Sequence, residues 1–262
     1  MEDKIMLWNG RAPYSDESPE QVQPSLTPYI AEGSRGAVVV IPGGAYWMKA
    51  DHEGGPVAEM LVRGGVSAFV LDYRVHPCHR LAPLADANRA IRTVRSLGYE
   101  KVGILGFSAG GNLCCTAATH YDLGHADSPD PIERLSCRPD AFIPCYSVSS
   151  FISYTHKGTV ANLLGDQKDN LELLKYYSAE LNVTPDTSPA FIWHTVADGA
   201  VPVESSLLLA KALSDARVPY EMHLFPAGQH GLGLAPDMPY VGRWAGFLQA
   251  WLKLMGFARD DA

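Results

Sequence analysis

A single serine lies between two glycines in the segment Gly106-Phe107-Ser108-Ala109-Gly110, directly after an apolar run. A serine hydroxyl is a weak nucleophile until a base removes its proton, and G-x-S-x-G is typical of nucleophilic serines when it joins a strand to a helix. The flanking glycines would let a sharp turn close while the hydroxyl stays exposed. We therefore predict that Ser108 is a nucleophile, with the N–H of Ala109 at the start of the following helix directed at a developing anion.

A nucleophilic serine needs a histidine as base and a carboxylate that orients the histidine. His230 follows the apolar segment 220–225, and Asp198 follows the apolar segment 189–196. Both residues lie in loops after predicted strands. The chain order serine, aspartate, histidine matches one large class of serine hydrolases, so we predict His230 as the base and Asp198 as the acid.

Other residues of the same types compete for these roles. An aspartate just ahead of a helix, such as Asp198, is often only a capping residue. Asp72, Asp186 and Asp215 are rivals, although Asp72 lies too early in the chain and Asp215 lies on a predicted helix. His194 lies within a predicted strand, which favours a structural, hydrogen-bonded histidine.

The elements that must position these residues alternate along the chain. Apolar, β-branched segments predict strands, and amphipathic segments between them predict helices. This alternation is typical of an α/β fold with a mostly parallel central sheet and helices on both faces. The predicted strands are 38–41, 67–75, 101–107, 140–148, 189–196 and 220–225, and the predicted helices are 54–65, 82–98, 109–120, 203–216 and 241–256.

One region interrupts the alternation. Residues 147–189 contain a predicted helix at 171–181 and no strand pattern, so we predict a small insertion over the carboxyl ends of the strands, where ligands bind in such sheets. The rest of the pattern is continuous. We therefore predict a single domain over residues 1–262.

Composition excludes several classes of function. Charged residues make up 19% of the chain, the net charge is −8, and basic residues are scattered, so we expect neither nucleic acid nor a membrane as a partner. The five cysteines form no plausible disulfide framework, and the N-terminal segment lacks a signal-peptide pattern, so we expect reduced thiols and a cytoplasmic protein. The histidines and cysteine of segment 75–80 lack a second ligand pair, so we expect no metal and no cofactor.

Six segments, taken in order, resemble α/β-hydrolases of the esterase and lipase superfamily, in particular the small acetylesterases grouped with acetylxylan esterases. The resemblance covers nearly the whole chain. It implies the α/β-hydrolase fold and supports Ser108, Asp198 and His230 as the catalytic residues. The matching segments are 38–58, 69–75, 82–96, 102–113, 194–213 and 225–235.

The resemblance also implies an oxyanion loop at Pro42-Gly43-Gly44-Ala45. This sequence departs from the His-Gly-Gly-Gly of hormone-sensitive-lipase relatives at both ends. Gly44 together with Ala109 is the first choice of donors, and Gly43 or Ala45 could share the role. Tyr46 and Trp47 follow the loop, and we weigh them as substrate-binding residues against an equally good reading as core.

The implied function is hydrolysis of short acyl esters, most simply acetyl esters of a sugar or small alcohol, through an acyl-enzyme. The short insertion favours short acyl groups. A peptidase or lactone hydrolase of the same fold, or a non-enzymatic receptor, are the alternatives. The expected partner is a small-molecule ester, and the oligomeric state stays open, with a homodimer as one option.

Overall fold

Eight strands form one sheet in the computed structural model, which describes residues 3–18 and 21–258. The strand order is β1-β2-β4-β3-β5-β6-β7-β8. From β4 to β8 all neighbours are parallel, whereas β1 and β2 run antiparallel at one edge. The strands are β1 Ile5–Met6, β2 Ser25–Tyr29, β3 Gly36–Ile41, β4 Ser67–Asp72, β5 Lys101–Phe107, β6 Ala141–Cys145, β7 Ala190–Thr195 and β8 Tyr220–Phe225.

Helices cover both faces of this sheet, as the sequence pattern predicts. Their bounds are α1 Gly55–Arg63, α2 Ala82–Ser96, α3 Ser108–Thr119, α4 Lys157–Leu164, α5 Leu171–Tyr176, α6 Glu204–Asp215, α7 Pro239–Gly242 and α8 Trp244–Leu254. Buried residues of α2, α3 and α6 form the core on one face, and those of α1 and α8 form the core on the other. The predicted α/β-hydrolase fold is confirmed.

The central strand β3 shows why the sheet needs both layers. Its residues are fully buried, and successive side chains point to opposite faces. Val39 and Ile41 pack against the α2 and α3 side, while Val38 and Val40 pack against α1. A continuous β-branched run is therefore what a strand covered on both faces requires.

The strand β2, second from one edge of the sheet, was not predicted from the sequence. Pro28 lies within it and pairs in register with Phe69 of β4. A proline cannot donate a backbone hydrogen bond, so it is tolerated in a strand only where the N–H side needs no partner. The two-residue strand β1 reaches only Ser25 and Leu26, which leaves the outer side of Pro28 unpaired by it.

The segment between β6 and β7 contains two helices, α4 and α5, and no strand. The helix expected at 171–181 is observed as α5 followed by a 3-10 turn at Ala179–Leu181, whereas α4 was not expected. The prediction of one domain over 1–262 stays a prediction, and its residues 1–2, 19–20 and 259–262 lie outside the described residues. Within the described ranges, no helix combines the length and apolar character that crossing a membrane requires.

Candidate active site

Ser108 lies at the sharp turn between β5 and α3. Its backbone has a φ of +53°, a conformation that is costly for a residue with a side chain. The neighbouring glycines make the turn possible, because a Cβ on Gly106 would lie 2.1 Å from the Gly110 carbonyl oxygen and one on Gly110 would lie 2.4 Å from the Ile41 carbonyl oxygen. The strained turn presents the hydroxyl at the carboxyl edge of the sheet.

Ser108, His230 and Asp198 form a continuous hydrogen-bonded chain. The Ser108 Oγ lies 2.8 Å from His230 Nε2, and His230 Nδ1 lies 2.7 Å from Asp198 Oδ2. A carboxylate only accepts, so Nδ1 carries the proton and Nε2 is left to accept from the serine hydroxyl. The three residues predicted from separate loops are thus brought together in the order that serine activation requires.

The Asp198 carboxylate has donors on both oxygens. Oδ1 accepts the backbone N–H groups of Ala200 and Val201, each at 2.9 Å. Burial alone would raise the pKa of Asp198, but the hydrogen bonds from His194, His230 and Val201 outweigh it and hold this pKa well below its usual range. Asp198 therefore stays ionised beside the imidazole.

His194 contacts the same carboxylate. It is fully buried in β7, and its Nε2 lies 3.3 Å from Asp198 Oδ2 and 3.1 Å from the Val201 carbonyl oxygen, so Nε2 donates. Its Nδ1 accepts from the Ser206 hydroxyl at 2.8 Å. The sequence predicted a structural, hydrogen-bonded histidine, which the contacts confirm, but gave no indication that it would help to fix the acid.

The backbone of the loop after β3 faces the serine. The Gly43 carbonyl accepts from Ala50 N–H at 3.0 Å, and the Gly44 carbonyl accepts from the N–H groups of Trp47 and Met48. In a planar trans peptide the N–H points away from the carbonyl oxygen of the preceding residue. The N–H groups of Gly44 and Ala45 are therefore directed away from the residues that bond the Gly43 and Gly44 carbonyls. Neither N–H finds an acceptor within the described part of the chain.

Gly43 differs from its neighbours in the loop. Its N–H donates to Glu53 Oε2 at 2.7 Å and is therefore occupied, although the sequence reading counted Gly43 among the oxyanion donors. A Cβ at this position would lie 3.0 Å from the Ser108 Cβ. Gly43 thus serves the close approach of the loop to the serine, while the Ala109 N–H in the first turn of α3 has no intrahelical acceptor.

The two aromatic residues after this loop have opposite environments. Tyr46 is 1% exposed and its hydroxyl donates to Asn112 Oδ1 at 3.0 Å, so the suggestion that it lines the substrate pocket is corrected: it belongs to the core. Trp47 is 61% exposed and stacks on the His76 ring with centroids 5.3 Å apart. Of these two residues, Trp47 is the one whose ring is accessible to a ligand.

The insertion between β6 and β7 borders the same site. The Asn162 side chain of α4 donates to the Ala45 carbonyl at 2.8 Å. His156 caps α4 on the same side of the site. Burial first and then the charge of the predicted base His230 lower the pKa of His156, while the charge of Asp198 opposes this. His156 has no predicted role, since an isolated histidine in a loop forms no recognisable sequence pattern.

Metal binding and thiol reactivity are the remaining chemistries considered for the described residues. The described residues contain no group of three or more His, Cys, Asp or Glu side chains placed to hold a metal ion. All five cysteines are free, and burial raises the pKa of Cys115 to about 12. A thiol of that pKa is protonated at neutral pH and unreactive.

Comparison with known proteins assigns the chain to a family. Residues 26–213, most of the chain, match the family model described as BD-FAE. The chain belongs to the BD-FAE family of α/β-hydrolases. The match spans β2 through α6 and thus includes Ser108 and Asp198, while His230 lies beyond it.

Curated relatives of this BD-FAE member are longer proteins. An endo-1,4-beta-xylanase B of Butyrivibrio fibrisolvens is 37% identical over 246 residues, covering 89% of this chain and 38% of the relative. An acetylxylan esterase of Xylanibacter ruminicola is 31% identical over 247 residues, covering 89% of this chain and 49% of the relative. The chain thus spans half or less of the length of these two relatives.

A solved structure matches over nearly its full length. The acetyl ester-xyloside bifunctional hydrolase of Caldicellulosiruptor lactoaceticus is 42% identical, with a TM-score of 0.93, and the match covers 98% of this chain and 97% of that one. The fold is therefore shared over nearly the whole chain.

Proposed function

We propose that the chain is a serine carboxylesterase that removes short acyl groups, acetyl first among them, from sugars or small alcohols. The observation that carries this proposal is the series of hydrogen bonds from Ser108 through His230 to Asp198. The donor–acceptor distances are 2.8 Å between Ser108 and His230 and 2.7 Å between His230 and Asp198. A serine bonded to the unprotonated nitrogen of an oriented histidine is arranged for acyl transfer.

The first half of the reaction forms an acyl-enzyme. His230 Nε2 takes the Ser108 hydroxyl proton as Oγ attacks the ester carbonyl, whose electron pair moves onto its oxygen. The N–H groups of Gly44 and Ala109 stabilise that oxyanion, with Ala45 beside them. When the carbonyl re-forms, the bond to the alkoxy oxygen breaks, and the protonated His230 gives its proton to the departing alcohol.

Water then repeats the sequence on the acyl-enzyme. His230 takes a proton from water, the hydroxide oxygen attacks the acyl carbonyl, and the same N–H groups hold the second oxyanion. The Ser108 oxygen leaves with the proton from His230, which releases the carboxylic acid and restores the serine. Asp198 remains ionised throughout and stabilises the imidazolium.

The relatives and Trp47 support a sugar ester as substrate. Two of the relatives are named for acetyl esters, an acetylxylan esterase and an acetyl ester-xyloside hydrolase. The exposed Trp47 ring follows the oxyanion loop directly, and an exposed indole face suits the apolar face of a sugar ring. A cytoplasmic location is part of the same proposal, supported by five free thiols, which suit a reducing compartment.

Hydrolysis of a nitrophenyl ester series from acetate to octanoate, together with acetate release from acetylated xylo-oligosaccharides, tests this function. We expect acetate to be the best acyl group and Ser108→Ala to abolish turnover. Ser96→Ala is the matched control, because its hydroxyl bonds only the Thr93 carbonyl of its own helix. Equal rates for Ser108→Ala and the parent, or faster turnover of octanoate than acetate, would contradict the proposal.

A further inference from the structure

We propose that Glu53 is a positioning residue that holds the oxyanion loop and the loop of His230 in one fixed arrangement. This rests on the proposed function, since it assigns a role to a residue behind the same site. Glu53 lies on a 3-10 turn at Asp51–Glu53, ahead of α1, and is only 2% exposed. Its two carboxylate oxygens bond to different parts of the site.

One oxygen of Glu53 holds the oxyanion loop. Oε2 accepts the Gly43 N–H at 2.7 Å, while the Gly43 carbonyl accepts from Ala50 on the other side of the loop. Both polar groups of Gly43 are thereby fixed, and with them the plane of the peptide whose N–H belongs to Gly44. The direction of the proposed oxyanion donor therefore depends on Glu53.

The other oxygen connects to the histidine loop through a tyrosine. Oε1 accepts the Tyr146 hydroxyl proton at 2.6 Å, and that hydroxyl oxygen accepts the Gly233 N–H at 2.9 Å. The Tyr146 ring also contacts the His230 ring edge to face, with centroids 5.2 Å apart. Burial and the Glu53 charge raise the pKa of Tyr146, so its hydroxyl stays a donor.

A second contact joins the same two regions. His52 Nε2 donates to the Gly231 carbonyl at 2.8 Å, so the residue beside Glu53 contacts the residue after His230. The turn at 51–53 thus bonds the oxyanion loop at one side and the segment 231–233 at the other. A shift of this turn would move both halves of the site together.

The Glu53 carboxylate is buried without a close ion-pair partner among the described residues. Among the described residues, its nearest ion-pair partner is His52, 3.8 Å away and itself more than half exposed. The buried Asp86, by contrast, is bonded to the Arg74 guanidinium at 2.6 Å. A buried carboxylate satisfied by neutral donors contributes little to stability compared with an apolar side chain, but it fixes the direction of those donors.

Two variants separate the bonds that Glu53 makes. Glu53→Gln keeps the size of the side chain but removes the charge, and it leaves the Tyr146 hydroxyl without a carboxylate acceptor. Tyr146→Phe keeps the bond from Gly43 to Glu53 and removes the hydroxyl that bonds Glu53 Oε1 on one side and the Gly233 N–H on the other. Asp86→Asn is the matched control for loss of a buried carboxylate, because it lies outside the site.

The measurement is kcat on nitrophenyl acetate per active site, with sites counted by an irreversible phosphonate that labels the serine, together with KM and Tm. We expect Glu53→Gln and Tyr146→Phe each to lower kcat per site about 10- to 100-fold with KM within about 3-fold. The double variant should lose less than the product of the two single losses, since both act through one chain of bonds. Asp86→Asn should lower Tm and leave kcat per site unchanged.

The rate of phosphonate labelling keeps this inference separate from the function itself. The phosphonate oxygen occupies the oxyanion position, so labelling should slow in Glu53→Gln as kcat does. A parent protein that labels but hydrolyses no ester would contradict the esterase proposal, while slowed labelling in the variant would still support the positioning role. Unchanged labelling and unchanged kcat per site, with only Tm lowered, would show that Glu53 is merely structural. If Glu53→Gln does not fold, Tyr146→Phe gives the same decision.

Discussion

The two sides of the site that meet at Ser108 are built from different parts of the chain. On the proposed acid–base side, His230 is bonded to one carboxylate oxygen of Asp198, and the other oxygen accepts two backbone N–H groups. On the proposed oxyanion side, the backbone N–H groups of Gly44, Ala45 and Ala109 have no such partners within the described residues. We therefore expect the substrate to supply the acceptor for these N–H groups, while the acid–base side needs no further partner.

The two sides also differ in what holds them in place. The aspartate is held by N–H groups two and three residues further along the chain, in addition to its two histidines. The proposed oxyanion loop has backbone bonds of its own but is also held from more distant parts of the chain, by Glu53 and by Asn162 of the insertion. A side-chain site can therefore be recognised by residue type, while a backbone site depends on remote residues that set its direction.

Removing the base should break the acid–base side with the largest effect. We expect His230→Ala to lower kcat about 10⁴-fold or more, because His230 is the base that lies within hydrogen-bond distance of the Ser108 hydroxyl among the described residues. Steady-state hydrolysis of nitrophenyl acetate measures this. His125→Ala, at a largely exposed histidine, is the control; retention of more than a tenth of the activity in His230→Ala would assign the base elsewhere.

Adding a methyl group to the oxyanion loop should have the next largest effect. Gly44 has a φ of +128°, and a Cβ there would lie 2.2 Å from the Met48 carbonyl oxygen, so the loop must shift. We expect Gly44→Ala to lower kcat about 10²-fold and to leave KM nearly unchanged. Gly98→Ala is the control, since it has a φ of +94° with no atom within 4 Å of the added Cβ. Equal kcat in both variants would remove Gly44 from the oxyanion side.

Substitution of Trp47 tests whether the oxyanion side also binds the alcohol part of the substrate. We expect Trp47→Ala to raise KM for an acetylated xylo-oligosaccharide about 3- to 10-fold, the value of one aromatic contact, and to leave KM for methyl acetate unchanged. Trp47→Phe should retain most of the affinity. A KM increase of the same size for both substrates would indicate a change in the loop rather than a lost sugar contact.

The smallest effect is a pH dependence of stability on the acid–base side. The pKa of Asp198 is depressed in the folded protein, so its ionisation stabilises the fold above its unfolded value of about 4, and this contribution is lost as the pH falls below that value. Urea unfolding between pH 6 and pH 3 measures it. The free energy of unfolding of Asp198→Asn should be lower than that of the parent at pH 6, and the gap should narrow as the pH falls. A constant gap would contradict the depressed pKa.

The acid–base side could be read from the sequence because its chemistry requires particular residue types at the ends of strands. Ser108, Asp198 and His230 each follow a segment whose residues predict a strand, and parallel strands bring their carboxyl ends to one edge. The fold followed from the same alternation. The strand β2 escaped prediction because Pro28 and its short partner give no period-2 pattern.

The oxyanion side could not be read to the same depth. The loop 42–45 was recognised, but the direction of its N–H groups depends on partners outside the motif, such as Ala50 and Glu53 for Gly43. The sequence could not distinguish Tyr46 from Trp47, since both are aromatic and adjacent, and only the fold shows that one ring enters the core. Residue type does not report backbone direction or the side to which a loop residue turns.

Acetyl transfer to Ser108 is the central step of the proposed mechanism. Rapid acid quenching of the protein during turnover of nitrophenyl acetate, followed by digestion and mass spectrometry, would locate any acetyl group. We expect one acetyl group on the peptide that contains Ser108 and none in Ser108→Ala. An acetyl group on another residue, or one that persists in Ser108→Ala with turnover intact, would contradict the proposed mechanism.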